Sequence, residues 1–339
     1  MTRINGYLEG IYTFLSPLSH IGDSHGPDSF LATQEILDLN GRPIEVFTYS
    51  GNAIRGVLRD CGSKYFLDRL GRDWMLKVPL DVFYLLFSGG SIGGNQSIDI
   101  DQARRIREAV PIISIPGGGV GNQILAGKMC VNDAYPVCKE CKHIIPGEYF
   151  DDAEGDLLSW RQMTTERSYT RTDDAKDENK RAYLQDENQL KLKSGEQMML
   201  LSDGEGNKKE KNKKKDEAPV QMRYTIEVMQ TGTKLWHRID IRDMTEVEFG
   251  ALASCLVEWS KSPYLGGQNR IGMGRAMLMY NWHPVGGGSE TFIDTTCSVP
   301  LLGNTASEAK QKYDEYIDKY AAYLDEHKEG LVKLIDAKS

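Results

Sequence analysis

The stretch Tyr49-Ser50-Gly51-Asn52-Ala53-Ile54-Arg55-Gly56-Val57-Leu58-Arg59-Asp60 holds residue types suited to gripping an anion. Ser50 suits a helix N-cap. Gly51 lets a ligand approach the first free amides, and a helix N-terminus attracts negative charge. Arg55 and Arg59 are four apart and share one helical face. From Ser50 to Arg72 there are five basic residues (Arg55, Arg59, Lys64, Arg69, Arg72) and two acids (Asp60, Asp68), a local +3. A surface helix with solvated arginines is the plain alternative. A second stretch, Gly266-Gly267-Gln268-Asn269-Arg270-Ile271-Gly272-Met273-Gly274-Arg275, mixes glycines with Asn269, Arg270 and Arg275 ahead of an apolar strand. Together the two stretches read as a phosphate cradle.

Other groupings suggest other chemistry. Cys130, Cys138, Cys141 and His143 have the spacing C-x7-C-x2-C-x-H. Three thiols and an imidazole form a structural zinc set, although Cys141 and His143 stand closer than in a familiar finger. Reduced cysteines near a loop are the alternative. His20, Asp23, His25 and Asp28 crowd one glycine-bearing loop, where acid–base or metal chemistry is conceivable. No G-x-G-x-x-G occurs. Gly121 to Lys128 misses a P-loop by one residue of spacing, with Met129 where a hydroxyl is required. No Ser/His/Asp or Cys/His nucleophile set stands out.

These residues need a frame. Gly6 to Phe14 reads as a first strand, followed by a long polar loop, Ser16 to Thr33. Ile44 to Tyr49 reads as an approach to a helix over Gly51 to Leu70, with an apolar stripe at Ile54, Val57, Leu58, Cys61, Tyr65 and Phe66. Val82 to Phe87 is a strand or short buried helix. Asp99 to Ala109 is helical, with Pro111 as its stop. Ile112 to Ile115 and Met129 to Val131 read as strands flanking a glycine loop. Met222 to Gln230 and Leu235 to Ile241 alternate as strands. Thr245 and Glu248 form a capping box before a helix burying Val247, Leu252, Cys255, Leu256 and Trp259. Ala306 to Ala337 reads as a closing amphipathic helix. The order predicts an α+β chain: a ferredoxin-like split βαβ core with large insertions and a C-terminal helix. The segments are 1–160, 161–221, 222–305 and 306–339. Asp203 to Glu217 is a low-complexity lysine-rich run, expected as a solvated loop tip.

Composition narrows the function. The 339 residues carry a net charge of −8, so whole-chain attraction to nucleic acid is excluded and any such binding needs a local basic face. Six cysteines are too few for a disulfide scaffold. No apolar run approaches the roughly 20 residues of a membrane span, and no secretory signal is evident. The expectation is a cytoplasmic protein with no membrane partner.

A resemblance joins these motifs. Phe14-Leu15-Ser16-Pro17-Leu18-Ser19-His20-Ile21-Gly22 is similar to the "xxPLHIG" opening of the RAMP superfamily of CRISPR-associated proteins. Tyr49 to Asp60 resembles that superfamily's "GSSLKGxLR" helix start, and Gly266 to Tyr280 its closing glycine-rich loop. The form is most similar to the backbone subunit of type IV effector complexes, then to those of types III and I-D. The resemblance implies a palm like an RNA-recognition motif, with a hairpin thumb in the 161–221 insertion. It implies copies stacked along a guide RNA, further effector subunits, and a DNA or RNA target met through the guide. By motif, Ser50, Gly51, Asn52, Arg55 and Arg59 would meet guide phosphates, near His20, with Gln268, Asn269, Arg270 and Arg275 adjoining. Arg161, Arg167 and Arg171 are placed in the thumb by position alone, with Met163 or Tyr169 as a wedge. Some relatives carry zinc in an insertion. A type III subunit cuts RNA with a loop aspartate; Asp28, then Asp23, stands nearest that position, but the loop lacks the cleavage motif. The expectation is a non-catalytic subunit that requires no cofactor, with structural zinc as an option.

Overall fold

The computed structural model describes residues 3–71, 80–90, 100–120, 123–150, 157–171 and 222–326. In chain order the strands are β1 (Ile4–Phe14), β2 (Ile21–His25), β3 (Asp28–Leu31), β4 (Thr33–Leu37), β5 (Pro43–Phe47), β6 (Gly118–Val120), β7 (Gln123–Leu125), β8 (Met129–Val131), β9 (Tyr135–Pro136), β10 (Thr164–Arg171), β11 (Met222–Met229), β12 (Lys234–Met244), β13 (Ala276–Pro284), β14 (Glu290–Asp294) and β15 (Leu301–Leu302). The helices are α1 (Gly51–Leu70), α2 (Leu80–Phe83), α3 (Ile100–Ala109), α4 (Pro111–Ser114), α5 (Glu246–Lys261) and α6 (Asn304–Glu326). A π-helical turn over Tyr84–Ser88 extends α2.

The main sheet has the order β15-β14-β13-β1-β12-β8, with β9 also paired to β12. Its centre, β13-β1-β12-β8, is built from two strand–helix–strand halves, β1-α1-β8 and β12-α5-β13. That interleaving is the split βαβ arrangement of the ferredoxin-like fold. Strand period and register put Leu8, Tyr12 and Phe14 on one face with Leu235, His237, Ile239, Leu278, Tyr280 and Trp282, all buried. Helix α5 covers this face: Phe249 packs on Trp282 at 4.8 Å and Trp259 meets Tyr12 edge-on at 5.9 Å. Each large side chain so buried contributes roughly 1.5–3 kcal/mol. Helix α6 lies directly on α5, where a Cβ at Gly250 would sit 1.9 Å from Ala309 O.

The capping box forms as expected: Thr245 Oγ1 accepts from Glu248 N at 3.2 Å, and Thr245 N donates to Glu248 Oε2 at 2.7 Å. Other segments differ from expectation. The Ser16 to Thr33 stretch holds β2 and β3 instead of a loop, because exposed polar strands leave no apolar alternation to read. Ile44 to Tyr49 belongs largely to β5, the return arm of a hairpin with β4. The strand expected over Ile112 to Ile115 does not form: Pro111 occupies the first turn of α4, and Ile112, Ile113 and Ser114 are all buried. Proline's fixed φ opens a helix as readily as it ends one. The 203–217 run and the end of the closing helix lie outside the described residues.

The chain divides into two compact units. One comprises residues 1–23, 30–165 and 227–339; the other comprises 24–29 and 166–226. Among the described residues, no helix is long and apolar enough to cross a membrane.

Candidate nucleic-acid interface

The start of α1 is wedged against the loop that follows β8. A Cβ on Gly51 would lie 2.4 Å from Val131 O and 2.5 Å from Asn132 O, so only glycine fits. Gly51 N donates to Asp133 Oδ1 at 2.7 Å. Ser50 is the N-cap residue but makes no side-chain cap bond. The cap therefore comes from Asp133, 82 positions along the chain, and not from Ser50 as the local pattern suggested. An internal carboxylate already occupies the Gly51 amide. The side chains beside the helix start that remain accessible are Asn52, exposed, and Arg55, half-exposed.

Tyr49 ties three segments together. Its main chain exchanges hydrogen bonds with Ala134 at 3.0 and 2.9 Å. Its hydroxyl accepts from Gly266 N at 2.7 Å, and burial pushes the phenol up to about 12. The His20 ring lies 4.4 Å from the Tyr49 ring, and His20 Nε2 accepts from Ser50 N at 3.3 Å. Burial pushes the His20 imidazole below its usual value, against the opposing pull of Asp133. That keeps Nε2 free to accept.

The glycine-rich loop closes on the same place. Gly267 N donates to Ser19 O at 2.8 Å, and Gly274 N to Pro17 O at 2.8 Å. Gly266 has φ +82 and would put a Cβ 2.3 Å from Ser19 O, so close approach and a left-handed backbone both demand glycine. Gln268 takes φ +61, unusual for a residue with a side chain. In the orientation that satisfies its hydrogen bonds, the Asn269 amide nitrogen donates to Gly266 O at 3.1 Å and Met273 O at 3.2 Å, so it braces the loop. Arg270 and Arg275 are exposed.

The structure thus gathers His20, Ser50, Gly51, Asn52, Gln268 and Asn269 around Tyr49 and Asp133. Sequence reasoning missed the roles of Tyr49 and Asp133. A bulky aromatic directly before Ser-Gly was the available signal for the first; nothing local signalled the second.

The basic residues of α1 fare differently. Arg59 Nη2 donates to Gly117 O at 3.2 Å, and burial, then Arg55, depresses its pKa. Lys64 pairs with Glu258 and Asp68, and Arg69 with Asp318 at 2.8 Å and Asp314 at 3.7 Å. Arg72 lies outside the described residues. The expected local +3 is therefore largely neutralised by α5 and α6, which leaves Arg55 without a carboxylate partner among the described residues.

Arg161 stacks on Trp160 at 4.0 Å and approaches Glu227 at 3.7 Å and Glu45 at 3.9 Å. Met163 packs half-buried against the core. In the second unit, Arg167 is exposed and Tyr169 half-buried on β10. Arg171 ends β10, and its side chain lies outside the described residues.

The proposed zinc set is not assembled. Among the described residues, no group of three or more His, Cys, Asp or Glu is placed to hold a metal ion. Cys138 and Cys141 are buried neighbours, and contact with Cys138, then burial, pushes the Cys141 thiol up. His143 Nε2 instead lies 2.7 Å from Leu37 O, and Cys130 sits on β8. Asp23 is exposed on β2; Asp28 opens β3, half-buried, in the second unit.

No family model and no curated protein matches the chain. Among solved structures, a chain of a "Type IV-B CRISPR Complex" superposes with a TM-score of 0.53 at 17% identity, over 81% of this chain and 90% of that chain. The likeness is one of fold.

Proposed function

We propose that the chain is a guide-RNA-binding backbone subunit of a CRISPR effector complex. In this reading, copies stack along the spacer part of the guide beside other effector subunits, and guide pairing recognises a DNA or RNA target. One observation carries the reading: Arg55, Arg270 and Arg275 remain available for anions on segments that Tyr49 and Ser19 lock together, in a chain of net charge −8. The fold shared with a chain of a Type IV-B CRISPR complex supports it.

A subunit that accepts any spacer must read phosphate, ribose and shape instead of base edges. Exposed arginines beside a rigid loop suit that task. Sequence discrimination then falls to base pairing, as in other RNA-guided systems. The subunit holds RNA and does not cut it.

The test is co-expression with a repeat–spacer transcript, followed by the 260/280 nm absorbance ratio of the purified protein. Wild type carries short RNA. Arg55→Glu binds RNA about tenfold more weakly for every guide alike, and the slope of log K against log salt falls by about 0.7 for the lost contact. Nucleic-acid-free wild type, or a loss confined to certain guide sequences, refutes the proposal. Added magnesium and complementary RNA yield no regular cleavage, with Asp28→Ala as the comparison.

A further inference from the structure

We infer that the β4–β5 hairpin tip of one copy seats in the groove beside α3 of the next, so that copies add head to tail. The inference rests on the stacking reading above and names its two surfaces.

The hairpin is a rigid knob. Strands β4 and β5 pair from Thr33↔Phe47 to Leu37↔Pro43. Asp38 Oδ1 accepts from Asn40 N and Arg42 N, both at 2.8 Å, which fixes the turn. Yet Leu37 is 60% and Leu39 80% exposed. Two leucines held in water by an ordered turn mark a contact surface. Residues 33–47 carry Glu35, Asp38 and Glu45 against Arg42; Glu45 lies 3.9 Å from Arg161, which leaves Glu35 and Asp38 against Arg42, a net −1.

The groove is its complement. It encloses about 860 Å³ beside α3, β7 and the start of α5, and its lining has four cations against three acids. Ile100 and Ile124 are 74% and 71% exposed. Lys128 is neutralised by Glu248 at 2.6 Å. Arg3 donates to Asp243 O at 3.3 Å and Arg107 to Ala126 O at 2.8 Å. Neither guanidinium has a carboxylate partner among the described residues. Exposed isoleucines with two carboxylate-free guanidinium groups match exposed leucines with an excess of acid.

Position sets the polarity. The hairpin base meets Tyr135, which pairs with Trp236 on β12. The groove lies at Asp243, seven residues further along that strand, or roughly 23 Å. Knob and groove therefore sit at opposite ends of β12. Two different patches that fit each other make a heterologous contact, which propagates instead of closing as a dimer.

The test uses full-length protein and sedimentation velocity over a concentration series, without RNA and on a guide RNA. Leu39→Glu spoils the knob and Ile124→Glu spoils the groove; both side chains are exposed, so folding is spared. Wild type forms a ladder of oligomers. Each variant alone assembles at least tenfold more weakly. An equimolar mixture retains one good knob and one good groove, so it forms dimers and nothing larger. A variant that assembles like wild type, a mixture that stays monomeric, or a wild type that never associates overturns the inference. The RNA-free mixture reports on docking and the co-purifying RNA on the proposed function, so the two can fail separately.

Discussion

Replacing Gly51 by alanine will cost about 3 kcal/mol of folding stability and strip bound RNA from the purified protein. The added methyl would overlap two main-chain carbonyl oxygens, Val131 O at 2.4 Å and Asn132 O at 2.5 Å. Neither can swing away as a side-chain tip would. Either the first turn of α1 or the loop after β8 must shift. Overpacking of this kind costs typically 1–3 kcal/mol, and loss of the Asp133 cap adds about 0.5–2 kcal/mol. The same shift displaces Asn52 and Arg55, which the first turns of α1 carry. Gly56, one turn further along α1, is the control: a Cβ there meets nothing within 4 Å. Gly56→Ala should stabilise by up to about 1 kcal/mol through helix propensity alone. Urea midpoints at constant m-value read both changes. Equal midpoints for the two variants would refute the account of the helix start.

The difference between these two glycines shows what the sequence holds and what it hides. Helix α1 is legible from its apolar stripe, and α5 from Thr245 and Glu248, because the interactions that announce them lie within one turn. Strands β1 and β12 alternate clearly, because one face is covered by helices and the other is not. The contact that makes Gly51 indispensable comes from Val131 and Asn132, and its cap from Asp133. No local pattern predicts partners so distant in the chain. The charge of α1 misleads for the same reason. Lys64 and Arg69 look available until Glu258, Asp314 and Asp318 arrive from α5 and α6. The cysteine spacing likewise suggested a joint set, whereas His143 is engaged by the main chain of β4. Motif spacing located the segments of the candidate interface; tertiary contacts decided which side chains remain available within it.

The buried His237 gives the second large effect, a loss of about 3 kcal/mol of stability between pH 6.5 and pH 4. It sits on β12 behind the interface. Nε2 lies 2.9 Å from Asn132 O, Nδ1 is hydrogen-bonded to the Tyr280 hydroxyl, and that hydroxyl donates to the Tyr12 hydroxyl at 2.9 Å. Fully buried, the ring would hold a charge away from water. Burial pushes the imidazole down to about 4. The unfolded chain binds that proton near pH 6.5, and the folded protein does so only near pH 4. Between those values the unfolded state holds more protons, so stability rises with pH and is fully present above pH 6.5. Glu9 works against this trend: burial raises its pKa, so the folded state favours its proton and stability from Glu9 is lost as pH rises. The comparison must therefore be made between wild type and His237→Gln. The variant starts less stable at about pH 7 but loses about 3 kcal/mol less on acidification to about pH 4. Parallel stability curves for the two proteins would mean that His237 does not titrate as its neighbours dictate.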